Sequence, residues 1–270
     1  MRIRHATHPD ELPSLDTAGL RDRFLLTDLF TPAEVRLELT HHDRIVIGGA
    51  CPDGGSLPLP VPDQLRADTF TDRRELAVVG IEGDGQVDVA GEKFAAGRGD
   101  VLYVGRGSGQ VTFHGQARYY LLSAPAHSEH PVTLVTRDDA EAARFGSPAE
   151  ANVRTIRKYV GAAGAASDQL TVGITTLEEG SVWNTMPCHT HDRRSEIYLY
   201  FGLGEGRVLH ICGRPQETRN IVVADQQAVI SPSWSVHFGA GTRSYSFVWS
   251  TAGENMTWDD MDPVDTADLR

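Results

Sequence analysis

The sequence predicts an all-β protein made of two small β-barrels in tandem, with a few short helices. Three observations predict it. Runs of β-branched and aromatic residues at period 2 recur along most of the 270 residues, separated by Gly-rich turns; this is the pattern of small barrels and sandwiches. A segment from roughly Arg137 to Gly164 breaks the pattern and leaves a similar half on either side. The second half alone carries histidines and a glutamate at a spacing that strands can bring together.

Taken in order, residues 10–40 read as peripheral. Within them Thr31-Pro32-Ala33-Glu34 offers an N-cap residue, then Pro at the first helical position, then a carboxylate in the first turn, which predicts a short helix. From Asp43 the signal is β, in Arg44-Ile45-Val46-Ile47 before Gly48-Gly49 and in Leu76 to Ile81. Gly85 to Phe94 alternates apolar and polar residues around a Gly-containing turn and predicts a hairpin. Gly99 to Gly105 and Gln110 to Phe113 continue the meander.

The break itself has two parts. Asp138 to Arg144 is acidic and helix-favouring, and Gly161 to Ala166 is small and flexible, as a crossover should be. Strand patterns resume at Leu170 to Thr176, Arg207 to Ile211, Asn220 to Val223, Ala228 to Ile230 and Tyr245 to Trp249. The expected division is residues 1–136 as a first barrel without metal, 137–166 as crossover, and 167–270 as a metal-binding barrel. The halves read as a degenerate repeat in which Gly99-Asp100-Val101-Leu102-Tyr103-Val104 takes the place of Gln226 to Pro232. His41 and His42 are adjacent, so a regular strand points them to opposite faces, and the first half has no His-x-His.

Composition is that of an ordinary globular protein, with 40% hydrophobic and 23% charged residues. A net charge of −12 argues against nucleic acid and against an anionic membrane surface as partners. Against that field, an anionic substrate needs a local cluster of arginines. Cys51, Cys188 and Cys212 are too few and too scattered for a disulfide framework. No signal-peptide core and no apolar run of transmembrane length occurs, so the cytoplasm is the expected compartment.

The most informative stretch is Pro187-Cys188-His189-Thr190-His191-Asp192-Arg193-Arg194-Ser195-Glu196. Alternate residues of a strand share a face, so His189 and His191 point together and Cys188 points away, toward packing. Asp192 to Ser195 can turn the chain, and Glu196 opens the strand-like run Glu-Ile-Tyr-Leu-Tyr-Phe. About forty residues on, the segment Ser231 to His237 offers a fourth ligand. Three imidazoles and a carboxylate suit a divalent transition metal with room for substrate. A His-x-His alone is more often surface or packing chemistry; the added glutamate and the later histidine change that balance.

This spacing resembles the two cupin motifs, with Trp234 where Gly is usual and Gly241 where Asn is common. A more specific resemblance covers nearly the whole chain. Trp183 to Arg194, Gly213 to Arg219, Ala228 to Ser235 and the tail Gly253 to Asp262 resemble the 5-keto-4-deoxyuronate isomerases, also called 4-deoxy-L-threo-5-hexosulose-uronate ketol-isomerases. Asp43-Arg44-Ile45 with Gly48-Gly49, and Ala124 to His127, fit as well. The resemblance implies two cupin-like jelly rolls and one zinc ion per subunit on His189, His191, Glu196 and His237. It also implies a homo-hexamer and an aldose–ketose isomerisation in pectin and uronate breakdown.

For that chemistry the residues supply further candidates. Tyr198 and Tyr200 share the face of Glu196, and Tyr198 is the expected proton relay. Glu254, or the acidic tail Asp259, Asp260 and Asp262, can supply a catalytic carboxylate. Arg193 and Arg194 in the turn, and Arg154, Arg157 and Lys158 before the second barrel, are candidates for the substrate carboxylate, with Arg194, Arg193 and Lys158 preferred. Two rival enzyme readings are a 5-deoxyglucuronate isomerase and an iron-dependent cupin oxygenase, which keeps the same ligands and would consume oxygen; a third, a sugar-binding cupin without turnover, is weakened by the complete ligand set, which a binding module does not need.

Overall fold

The computed structural model describes residues 1–254 and 260–270. These form two compact units. One comprises residues 1–4, 28–141 and 158–172, the other residues 5–27, 142–157 and 173–270. No helix among the described residues is long and apolar enough to cross a membrane.

The first unit is built on β1 (Glu34–Thr40), β2 (Val46–Cys51), β3 (Ser56–Pro58), β4 (Arg74–Val89), β5 (Glu92–Ala95), β6 (Val101–Val104) and β7 (Val111–Pro125). The strands run in the order β1-β2-β7-β4-β6 at one end of the sheet. Both β4 and β7 are long, and their distal halves continue the sheet as β3-β7-β4-β5. A register shift between Gly80 and Glu82 marks where β4 bends from one layer to the other. The predicted hairpin is β4–β5. Its turn residues Ala90 and Gly91 both have positive φ, 51° and 94°, as a tight hairpin requires.

The second unit repeats this plan. Its strands are β8 (Arg154–Val160), β9 (Thr171–Leu177), β10 (Trp183–Asn184), β11 (His189–Thr190), β12 (Arg194–Phe201), β13 (Val208–Arg214), β14 (Glu217–Val223), β15 (Gln227–Ser231), β16 (Val236–Gly241), β17 (Ser246–Gly253) and β18 (Asp262–Pro263). One layer runs β8-β9-β17-β12-β15 and the other β10-β16-β13-β14. Each long strand of the first unit is here two strands, with a break between β12 and β13 and another between β16 and β17. Position for position the order is the same, so the degenerate repeat is present as topology. Both units are cupin-like jelly rolls.

Two sequence expectations are corrected. Thr31 to Glu34 is a turn, closed by the Glu34 N–H on the Thr31 carbonyl at 3.2 Å, with Ala33 at φ 57°. A Thr-Pro pair serves a turn as well as a helix start. The α-helix lies earlier, at α1 (Thr17–Phe24), where the Asp16 carboxylate accepts the Gly19 N–H at 2.7 Å. The acidic stretch read as helix-favouring instead contributes an exposed strand, Glu141–Phe145, paired to β8. There the available sheet edge outweighs helix propensity.

The interiors of the two units differ in chemistry. In the first, Leu76, Val78, Val87, Leu102, Val104, Val111, Phe113 and Tyr119 belong to one buried apolar cluster. Leu76 pairs with Val104 on β6, and Glu196 pairs with Ser231 on β15. The repeat therefore puts a leucine in the first unit where the second has a carboxylate.

Candidate metal centre

Four strand-borne side chains meet inside the second unit. His189 lies on β11, which pairs with Thr190↔Asp262 and His189↔Pro263 on β18. His191 follows directly; its N–H donates to the Ser233 carbonyl at 3.3 Å. The chain turns through Asp192 and Arg193 and enters β12, where Glu196 sits between Ser231 of β15 and Thr251 of β17. His237 lies on β16 opposite Cys212 of β13. Cys188 faces away into a small apolar cluster with Val236 and Phe238, as the alternation of a strand requires.

The four ligand atoms all lie within 4.8 Å of one another. His191 Nε2 is 2.9 Å from Glu196 Oε2 and 3.2 Å from His237 Nε2. His237 Nε2 is in turn 3.1 Å from His189 Nε2 and 3.0 Å from Glu196 Oε2. His191, Glu196 and His237 are buried and His189 is partly so.

Protons cannot satisfy this arrangement in full. His237 Nδ1 is 3.1 Å from the Ser235 carbonyl, and His189 is hydrogen-bonded to the Pro187 carbonyl. Donation to those carbonyls leaves the Nε2 lone pairs facing inward, the tautomer a metal ligand needs. Burial lowers the pKa of His191 and pushes that of His189 down to about 3, so both rings are neutral. Burial also pushes the Glu196 carboxyl up, but His237 and His191 outweigh it and hold it well below the usual carboxylate range. Three imidazole nitrogens and one carboxylate converging on a point fit a divalent cation.

Tyr198 and Tyr200 stand one and two steps along the same face of β12, both buried. The Tyr198 ring meets His237 edge-on, centroids 5.7 Å apart. Its hydroxyl is 2.8 Å from Thr185 Oγ1 and also hydrogen-bonded to Glu196. Burial and the Glu196 charge raise its pKa well above the ordinary value, so it is a phenol. Tyr200 OH is 2.8 Å from His210 Nδ1.

Sequence reasoning missed Thr185 and His210. Thr185 is a β-branched residue at φ 49°, where such residues are rare. His210 is fully buried and lies next to Tyr198, ring centroids 5.7 Å apart. The alternation of β13 placed it on the inner face and was the available signal.

Of the preferred substrate-binding residues, Arg194 opens β12 two residues before Glu196, and its N–H donates to the His191 carbonyl at 3.4 Å. Arg193 Nη2 is 2.7 Å from Asp260, and the buried Arg194 bridges the same carboxylate. Lys158 Nζ is 3.3 Å from Glu141. Glu254 is exposed, and its N–H donates to the Arg193 carbonyl at 3.0 Å. Asp259 lies outside the described residues.

The chain resembles known proteins over its whole length. A family model described as the KduI/IolB family matches residues 39–268. A 4-deoxy-L-threo-5-hexosulose-uronate ketol-isomerase of Kineococcus radiotolerans is 50% identical over 279 residues and covers 100% of both chains. Another protein of that name, from Halalkalibacterium halodurans, is 45% identical and covers 100% of both. Among solved structures, an IolB-like protein from Salmonella typhimurium superposes with a TM-score of 0.68 at 19% identity, covering 82% of this chain and 86% of its own.

Proposed function

From the premise that the chain belongs to the KduI/IolB family, we propose that it is a metal-dependent aldose–ketose isomerase of uronate catabolism. Its substrate is 4-deoxy-L-threo-5-hexosulose uronate, and its product is 3-deoxy-D-glycero-2,5-hexodiulosonate. The full-length identity to relatives bearing that name supports the substrate. The observation that carries the chemistry is the convergence of His189, His191, Glu196 and His237 within 4.8 Å.

The donor set supports zinc as the ion, one per subunit. When bound, such an ion polarises a carbonyl and its neighbouring hydroxyl as a Lewis acid, which is worth several kcal/mol in this kind of reaction. The protein's own groups do the rest. The isomerisation moves one hydrogen between adjacent carbons and passes a hydroxyl proton the other way. Tyr198, a buried phenol bonded to Thr185 and Glu196, holds a proton beside the reacting atoms and acts as relay. Glu254 is the reserve candidate for the base. Arg194, Arg193 and Lys158 contribute positive charge to attract a carboxylate, each sharing it with an acidic neighbour.

The apolar interior of the first unit supports its role as a scaffold without metal. We extend the proposal to a cytoplasmic homo-hexamer, since closed symmetry is the usual way such barrels cover their sheet edges. A monomer by light scattering would contradict that part. The function itself is tested by incubating the zinc-loaded protein with the keto-uronate released from an unsaturated uronate and following both sugars by proton NMR. Conversion to the 2,5-diketo acid is expected. Oxygen consumption, or binding without turnover, would favour the oxygenase or the sugar-binding reading.

A further inference from the structure

We propose that Arg154 is the residue that grips the substrate carboxylate, forming a uronate-binding subsite beside the metal cluster. The inference rests on the uronate reading above and adds a residue that neither the family match nor the cluster of ligands specifies.

Arg154 opens β8 and is partly buried. Its Nη1 donates to the Asn152 carbonyl at 2.9 Å and its Nη2 to the Met186 carbonyl at 3.1 Å. Both acceptors are neutral, so they fix the guanidinium without cancelling its charge. Among the described residues no carboxylate forms an ion pair with it. Arg193 and Arg194 differ in this respect, because they share Asp260. An arginine held by carbonyls keeps part of its planar fork for an incoming anion.

Its location connects it to the reaction. Met186 follows Thr185, whose hydroxyl is 2.8 Å from that of Tyr198, and precedes the ligand His189 by three residues. Arg154 thus reaches the backbone carbonyl next to the residue that bonds the Tyr198 hydroxyl. The guanidinium therefore stands on the Tyr198 side of the metal cluster. In a six-carbon uronate the carboxylate is at C6, at the other end from the C1 and C2 that exchange a hydrogen. With C–C bonds of about 1.5 Å, the carboxylate needs an anchor beyond the ligands, and Arg154 reaches the Met186 carbonyl beside Thr185. Burial lowers the Arg154 pKa while the Glu150 carboxylate pulls it back up. A partly buried cation in that position is stabilised by a bound carboxylate.

The test compares wild type with Arg154→Gln, which keeps a donor for the Met186 carbonyl but loses the charge. Steady-state turnover of the keto-uronate is measured, with metal content by mass spectrometry. Binding of D-glucuronate and of D-glucose to the zinc-loaded proteins is measured beside it. We expect KM to rise roughly tenfold to hundredfold, the loss typical of a charge-assisted bond, with a smaller change in kcat and unchanged metal content. D-glucuronate should lose affinity while D-glucose does not, and millimolar guanidinium should restore part of the loss in Arg154→Ala. A wild-type KM in Arg154→Gln would overturn the proposal. So would loss of metal, or equal weakening of both sugars, since either marks a role confined to positioning the Met186 loop. Should wild type fail to turn over the keto-uronate, the isomerase reading falls. The sugar comparison then still decides on Arg154, and absence of any preference for D-glucuronate in wild type would overturn it.

Discussion

His191 and His237 face each other nitrogen to nitrogen, their Nε2 atoms 3.2 Å apart and both rings buried. A single proton can lie between two such atoms, and Glu196 Oε2 approaches both of them, at 2.9 and 3.0 Å. Replacing one of the three leaves the others without their common centre. His237→Ala should therefore lower bound metal from about one ion per chain to a small fraction and remove most activity. Circular dichroism should stay unchanged, because the strands around His237 are held by their backbone ladders to β13 and β10. Normal activity in this variant would end the metal-isomerase reading.

Tyr198→Phe removes the hydroxyl that Thr185 and Glu196 share and keeps the ring against His237. A proton-relay role acts in the transition state, so kcat should fall, by roughly 10²-fold, the lower end for a positioned proton-transfer group, with KM little changed. Unchanged kinetics would return Tyr198 to packing and move attention to Glu254.

The stability of the protein should fall on the acid side of neutrality, and His210 should contribute to the fall. Burial, with the nearby His237, pushes its pKa down to about 3 in the folded state, against roughly 6.5 for an unperturbed histidine. Below that unfolded value the unfolded chain takes up a proton that the folded chain refuses. Stability is then lost progressively as pH falls from about 6.5 toward 3, at up to ~1.4 kcal/mol per pH unit for one group. Urea unfolding at a series of pH values should show a shallower acid-side decline in His210→Gln than in wild type. An identical decline would remove His210 from the account.

Gly173 on β9 should not accept a side chain. A Cβ there would stand 2.0 Å from Cζ2 of Trp249 on β17 and 2.7 Å from the Arg157 carbonyl. Trp249 is itself tied to Thr175 through Nε1 at 3.1 Å. Gly173→Ala should cost about 1–3 kcal/mol by overpacking, seen as a lower melting temperature. A wild-type melting temperature would show that Trp249 moves aside freely.

The convergence of the four candidate ligands was legible in the sequence because it depends on local rules. Strand alternation sets His189 against His191, a turn separates them from Glu196, and a later strand brings His237. The repeat was legible for the same reason, since β6 and β15 open with comparable Gly-Asp and Gln-Gln entries. What failed to show was set by partners far along the chain. Nothing near Arg193 and Arg194 indicates that Asp260 pairs with both of them. Nothing near Arg154 indicates that the Met186 carbonyl waits for it. The Glu141–Phe145 strand was hidden because its alanines favour a helix until β8 offers an edge. Thr31-Pro32 was ambiguous because a turn and a helix N-terminus begin with the same two residues.

If one ion held by His189, His191, Glu196 and His237 is required for isomerisation, removing and returning the metal should switch activity off and on. Protein stripped with a chelator is titrated with zinc while conversion of 4-deoxy-L-threo-5-hexosulose uronate is followed by NMR. No turnover is expected in the stripped protein, with activity rising linearly to a break at about one equivalent of zinc per chain. Full activity in protein shown by mass spectrometry to be free of metal would contradict it.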